Sequence, residues 1–121
     1  MSGIPAMQSL DELRQRLREF ARERDWEQFH SPKNLAMALI VEAAELVEHF
    51  QWLTQAQSRE LEAEKREQVA QELADVFIYL VRLADRLDID LLDAAGRKII
   101  LNARKYPADK VRGSARKADD S

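Results

Sequence analysis

Between Leu10 and Tyr106, apolar residues return every three or four positions in four blocks separated by short polar stretches. Residues at that spacing share one face of a helix, so each block reads as an amphipathic helix rather than a strand. With three glycines and three prolines among 121 residues, the chain has little of the turn chemistry that a many-stranded sheet requires. The expected fold is therefore all-α, in one domain, since single domains cluster near ~100–150 residues.

Caps and breakers set the boundaries. Ser9 followed by Asp11 and Glu12 is a helix-start signal, because a side-chain oxygen and early acids satisfy the free N–H groups of a first turn. Leu10, Leu13, Leu17, Phe20 and Ala21 carry this first helix to the neighbourhood of Arg24. Ser31 and Pro32 read as N-cap and first residue of a second helix that continues to Leu53. A third is expected from Ser58 to Leu87, solvated and acidic in its first half and packed in its second. A fourth spans Asp90 to Lys105 and stops before Pro107, which disfavours helical backbone at Tyr106. Gly96 is its weakest helical position. Residues 108–121 are small, polar and charged, and are expected to be a disordered tail after a folded domain of residues 1–107. Four helices with short connections predict a mainly antiparallel four-helix bundle, and the generous apolar surface of the last three predicts an oligomer.

Composition narrows the chemistry. There is no cysteine, so disulfides, thiolate catalysis and Cys-ligated metals are excluded, and a metal has to be held by oxygen or histidine. No apolar run approaches the ~20 residues that span a bilayer, and the N-terminus has no apolar signal core, which predicts a soluble, cytoplasmic protein without a membrane partner. A formal net charge of −3 argues against nonspecific nucleic-acid binding.

Two acid pairs interrupt this regular pattern. Glu42 and Glu45 sit within "ALIVEAAELVEHFQW", and Glu72 and Asp75 within "AQELADVFIYLVRLA", each pair three residues apart. On a wheel of ~100° per residue, Leu35, Leu39, Ala43, Leu46, Val47 and Phe50 fill one arc of the second helix. Glu42 lies at its edge, with Glu45, His49 and Trp52 just beyond. On the third helix Val69, Leu73, Val76, Phe77, Leu80 and Ala84 form the arc, Glu72 and Tyr79 lie at its edge, and Asp75 lies further round. Two such boundaries facing each other would gather four carboxylates, whose repulsion of ~1 kcal/mol per pair at about 4 Å in water opposes folding unless a cation neutralises it. Oxygen-only ligation favours Mg²⁺, with Mn²⁺ as a substitute. Spacing alone, however, describes solvated acids on acid-rich helices equally well.

The same residues carry a resemblance. Glu42-x-x-Glu45 followed by Glu72-x-x-Asp75, each on its own helix, resembles the metal signature of the all-α nucleoside triphosphate pyrophosphohydrolases, the MazG-like superfamily. The segments "ERDWEQFHSPKNLAMALIVEAAELVEHFQW", "ELADVFIYLVRLA" and "KIILNARKYP" are similar, in order and type, to the dCTP pyrophosphatase branch, from Leu13 to Pro107. This resemblance implies hydrolysis of a nucleoside triphosphate to the monophosphate and pyrophosphate, as housecleaning of unmodified or modified deoxycytidine nucleotides. It implies Mg²⁺ held by Glu42, Glu45, Glu72 and Asp75, with Glu42 or Glu45 as the catalytic acid residue that positions or deprotonates the attacking water. It places Trp26, His30 and Trp52 around the nucleobase, with Tyr79, Asn102 and Tyr106 at further pocket positions. Asn102 offers the donor and acceptor that the cytosine edge requires. Lys98, Arg104 and Lys105 are cations suited to the phosphates, and equally ordinary near a helix C-terminus.

The resemblance further implies a homo-oligomer, a dimer or a tetramer of two dimers, whose cleft is lined by more than one subunit. His49 matches no site residue and reads as structural or rim. Leu17 stands where the related animal enzymes have a histidine, which bears on base selection and not on the metal. Broader MazG-type specificity, or a non-catalytic helical module that binds nucleotide or a partner, are the competing readings. A di-iron carboxylate bundle is disfavoured, because it needs Glu-x-x-His, whereas His49 follows Glu45 by four positions.

Overall fold

A computed structural model describes residues 6–115. They form α1 (Leu10–Glu23), a 3-10 turn (Glu27–Phe29), α2 (Pro32–Glu48), α3 (Gln55–Arg59), α4 (Ala63–Arg86), α5 (Leu91–Lys105) and α6 (Ala108–Val111). The fold is all-α, with no strand among the described residues, and none of these helices is long and apolar enough to cross a membrane. The residues up to Asp88 make one compact unit and those from Ile89 a second.

In the first unit α2 lies along α4, and α1 packs on α4 as well. The pair is antiparallel: His49 after the end of α2 meets Lys65 at the start of α4, while His30 before α2 meets Arg82 near the end of α4. Each helix starts for a local reason. The Ser9 hydroxyl accepts from the Glu12 N–H at 3.1 Å, and the Ser31 hydroxyl accepts from the Asn34 N–H at 3.2 Å with Pro32 following it. The end of α1 is a Schellman turn: Asp25 takes φ 53°, its N–H donates to Arg22 O and the Trp26 N–H donates to Ala21 O. An aspartate tolerates this left-handed backbone better than most residues, and the turn throws Trp26 back towards α1.

Two boundaries differ from the sequence expectation. The second helix stops at Glu48 rather than Leu53, and a turn in which Phe50 and Gln51 both donate to Val47 O leads the chain away. The expected third helix is two helices, because Thr54 and Gln57 form a reciprocal capping box that starts α3 early. The chain then breaks at Glu60 before α4 begins at Ala63.

In the second unit, Asp90 caps α5 by accepting from the Asp93 N–H at 3.0 Å, and Tyr106 ends it. Gly96 is helical, with open space where a Cβ would stand. The short helix α6 lies inside the stretch expected as a disordered tail, of which residues 116–121 fall outside the described residues.

The buried apolar side chains among the described residues are few and mostly small: Ala21, Leu35, Val69, Val81 and Ala84. By contrast Ile40 is 67% exposed, and Val41 and Val47 on α2 and Leu73 and Phe77 on α4 are also exposed.

Candidate functional site

The antiparallel pairing of α2 and α4 sets Glu42 and Glu45 opposite Glu72. One carboxylate oxygen from each of the three lies within 4.8 Å of the others, and all three side chains are half-buried. Burial, a hydrogen bond to Glu45 and the charges of Glu45, Asp75 and Glu72 push the Glu42 carboxyl up to about 7. Asp75, one turn beyond Glu72, is exposed and lies outside the three-acid group, yet its charge reaches Glu42.

One oxygen of Glu42 and one of Glu72 are buried with no hydrogen-bond partner. An unpaired buried acceptor costs about 1–3 kcal/mol, so these atoms are expected to serve a ligand. The donor set is all carboxylate, partly buried and mutually repelling, which fits a hard divalent cation such as Mg²⁺. Behind Glu72 stands His49, its Nε2 at 4.0 Å from Glu72 Oε1 and its Nδ1 at 3.3 Å from Lys65 Nζ. The i, i+4 spacing from Glu45 puts His49 on the acid side of α2, where the helical wheel places it.

Next to the acids, a pocket of about 410 Å³ opens between α1, the turn after it and α4. Leu13, Leu17, Phe20 and Ile78 supply an apolar wall, Trp26 and Tyr79 flat aromatic surfaces, and His30, Arg82 and Asp75 polar atoms. Trp26 meets Phe20 edge to face with ring centroids 5.8 Å apart, and lies 6.3 Å from the His30 ring. Asp75 thus belongs to both features: it borders the pocket and acts on the acid cluster.

The polar wall is braced from outside. Arg82 is 4% exposed; its Nη2 lies 3.4 Å from His30 Nδ1 and its Nη1 lies 3.7 Å from Asp85. Arg18 on α1 grips Asp85 through two N–H donors, one of them Nε at 2.7 Å, and holds its carboxyl below the usual carboxylate range. Burial and the cations Arg82 and Arg86 lower the pKa of His30. Sequence reasoning missed Arg82, Leu13, Phe20 and Ile78. The signal for Arg82 was an arginine three residues after Tyr79, inside the apolar run "YLVRLA".

Of the expected site residues, Glu42, Glu45 and Glu72 are brought together, while Asp75, Trp26, His30 and Tyr79 line the adjoining pocket. Trp52, in the turn after α2, is 87% exposed and is not part of the pocket lining. In the second unit, Lys98, Asn102 and Lys105 share one face of α5 through spacings of four and three, and Arg104 lies on the same helix. Tyr106 caps α5, with Lys105 Nζ 5.9 Å from its ring.

Comparison with known proteins adds independent observations. Residues 37–120 match the MazG-like family. The chain is 48% identical over 111 residues to human dCTP pyrophosphatase 1, covering 90% of this chain and 65% of the relative. It is 46% identical over 114 residues to the rat protein of the same name, covering 93% and 67%. The chain therefore spans about two thirds of the length of these curated relatives. A crystal structure of a pyrophosphatase from Archaeoglobus fulgidus superposes with a TM-score of 0.78 at 39% identity, covering 88% of this chain and 99% of that one.

Proposed function

Given that the chain belongs to the MazG-like family, we propose that it is a divalent-metal-dependent hydrolase that splits dCTP or a modified dCTP into the monophosphate and pyrophosphate, in nucleotide housecleaning in the cytoplasm. The observation that carries this reading is the junction at Asp75, where a cluster of carboxylates with unpartnered buried oxygens adjoins an apolar, aromatic pocket. Polyphosphate chemistry and base recognition each need one of those two surfaces.

Glu42, Glu45, Glu72 and Asp75 would hold Mg²⁺, with Mn²⁺ able to replace it. When bound, the cation supplies the positive charge that lets a polyanionic triphosphate approach four acids, and it acidifies water. The chain's own residues do the rest. Trp26 and Tyr79 receive the flat faces of the base, and the apolar wall of Leu13, Leu17 and Phe20 excludes solvent from it. Either Glu42 or Glu45, which lie side by side in the cluster, takes the proton of the water that attacks the α-phosphorus. The bond from that phosphorus to its bridging oxygen breaks, and pyrophosphate leaves.

Lys98, Arg104 and Lys105 are assigned to the phosphates and Asn102 and Tyr106 to the nucleoside, supported by the shared α5 face of Lys98, Asn102 and Lys105. The exposed Ile40, Val41, Leu73 and Phe77 support a homo-oligomer, a dimer or tetramer, whose cleft is lined by more than one subunit. A panel of deoxynucleoside and ribonucleoside triphosphates, assayed for pyrophosphate with and without Mg²⁺, tests the reading. Release of orthophosphate, or no release from any member, would overturn it. Leu17 in the pocket wall favours one second reading, a broader MazG-type specificity, which comparative kcat/KM values across the panel separate from the first.

A further inference from the structure

Arg82 is the buried charged side chain among the described residues, and it lines the pocket beside a histidine. A guanidinium carries five N–H donors and no acceptor, and it stays protonated throughout the working pH range. At 3.4 Å from His30 Nδ1, Arg82 Nη2 makes a hydrogen bond only if Nδ1 offers its lone pair. The ring proton is then on Nε2. A second proton would have to enter at Nδ1, against a cation.

The surroundings leave the pair little freedom. Arg86 Nε donates to the His30 carbonyl at 3.1 Å, and Asn34 Nδ2 donates to the Phe29 carbonyl at 3.0 Å, so the backbone under the imidazole is tied to both α4 and α2. Arg82 is backed by Asp85, which Arg18 holds in turn. Burial, Arg82 and Arg86 disfavour the imidazolium, and Glu27 opposes them weakly. Nε2 of His30 has no hydrogen-bond partner among the described residues, and the ring lines the pocket.

We propose that Arg82 is a positioning residue that locks His30 as the neutral, Nε2-protonated imidazole. The pocket then presents a hydrogen-bond donor and selects pyrimidines that place an acceptor, a carbonyl oxygen or ring nitrogen, against it. The substrate half of this inference rests on the function proposed above; the tautomer half does not.

The test uses the full-length ¹⁵N-labelled protein without nucleotide. The His30 ring signals are identified by their loss in His30→Gln. An unprotonated Nδ1 and a protonated Nε2 at pH 7 are expected, and a protonated Nδ1 in any form overturns the proposal. Arg82→Lys keeps a charged donor and should retain the wild-type pattern, whereas Arg82→Met should give a mixture of tautomers; a pure Nε2–H form in a folded Arg82→Met protein refutes the lock. Kinetics report on selection and do not depend on Arg82 variants folding. A glutamine amide reaches the Nε2 position and an asparagine amide the Nδ1 position, so His30→Asn should raise KM about tenfold more than His30→Gln does. Equal losses, or the reverse order, overturn the donor role. If no triphosphate in the panel is cleaved, the enzymatic reading fails while the spectra still decide the tautomer.

Discussion

Replacing Glu42 with glutamine is expected to stabilise the metal-free protein at pH 8 and to leave it unchanged near pH 4. The folded state raises this carboxyl from 4.5 to about 7, first by burial and then by Glu45, Asp75 and Glu72. Glu42 therefore binds its proton more tightly folded than unfolded, so its contribution is intact below 4.5, is lost as pH rises to about 7 and stays lost above. At roughly 1.4 kcal/mol for each tenfold change in proton affinity, the full penalty would be about 3 kcal/mol, and screening at this partly open cluster reduces it to about 1–2 kcal/mol. Urea unfolding followed by circular dichroism, at fixed protein concentration and with chelator present, measures it as the difference between wild type and Glu42→Gln at each pH. Mg²⁺ should then stabilise wild type at pH 8 and stabilise the variant less, because a ligand of the native state adds more stability the more tightly it binds. A variant no more stable than wild type at pH 8, or one that gains as much from Mg²⁺, would refute the account of Glu42 as a carboxylate held in place for a cation.

Three further outcomes follow from the geometry. Glu45→Gln and Asp75→Asn should each lower kcat for pyrophosphate release by about 100-fold or more while the far-ultraviolet circular dichroism is unchanged; full activity in either would make the acids surface charge. Leu35→Ala, at a side chain only 1% exposed, should cost about 2–5 kcal/mol in chemical denaturation. Asp25→Gly should stabilise the protein by up to about 1 kcal/mol, because φ 53° suits glycine, less whatever the Gln28 amide bond to the Asp25 carboxylate contributes.

How much of this was legible in the chain depends on the range of the interaction. The bounds of α1 and α5 follow from Ser9, Asp90 and Pro107, whose effects reach only a few residues, and the structure places both helices within a residue of the expectation. The start of α3 was equally local, but the capping pair Thr54 and Gln57 was not read. The end of α2 carries neither glycine nor proline, and that explains Trp52. Its expected place beside Glu45 assumed helical rotation through to Leu53, and once the helix stops at Glu48 the wheel no longer says where the indole points. Spacing put Glu42, Glu45 and Glu72 at the edges of two apolar faces, and the resemblance, rather than the spacing, distinguished them from solvated acids. The brace formed by Arg18, Asp85, Arg82 and His30 was not, because it joins residues as many as 67 positions apart that only the packing of α1 and the turn onto α4 brings together.

The two halves of the site are nonetheless ordered by one helix. Glu72, Asp75, Tyr79, Arg82 and Arg86 follow one another on α4 at spacings of three, four, three and four, which is the stripe a straight helix keeps on one side. Along it the chemistry changes from clustered acid to aromatic pocket wall to buried cation. From Asp75 to Arg82 the rise is about 10 Å at ~1.5 Å per residue, the scale of a nucleoside with its first phosphate. Because α4 is continuous from Ala63 to Arg86, that separation is set by hydrogen-bonded backbone and not by loops. If the acids hold the phosphates and the pocket the base, as proposed, the distance between the two is fixed in the sequence of a single element. The neighbouring elements complete the pocket wall, through Leu17 from α1 and His30 from the turn before α2.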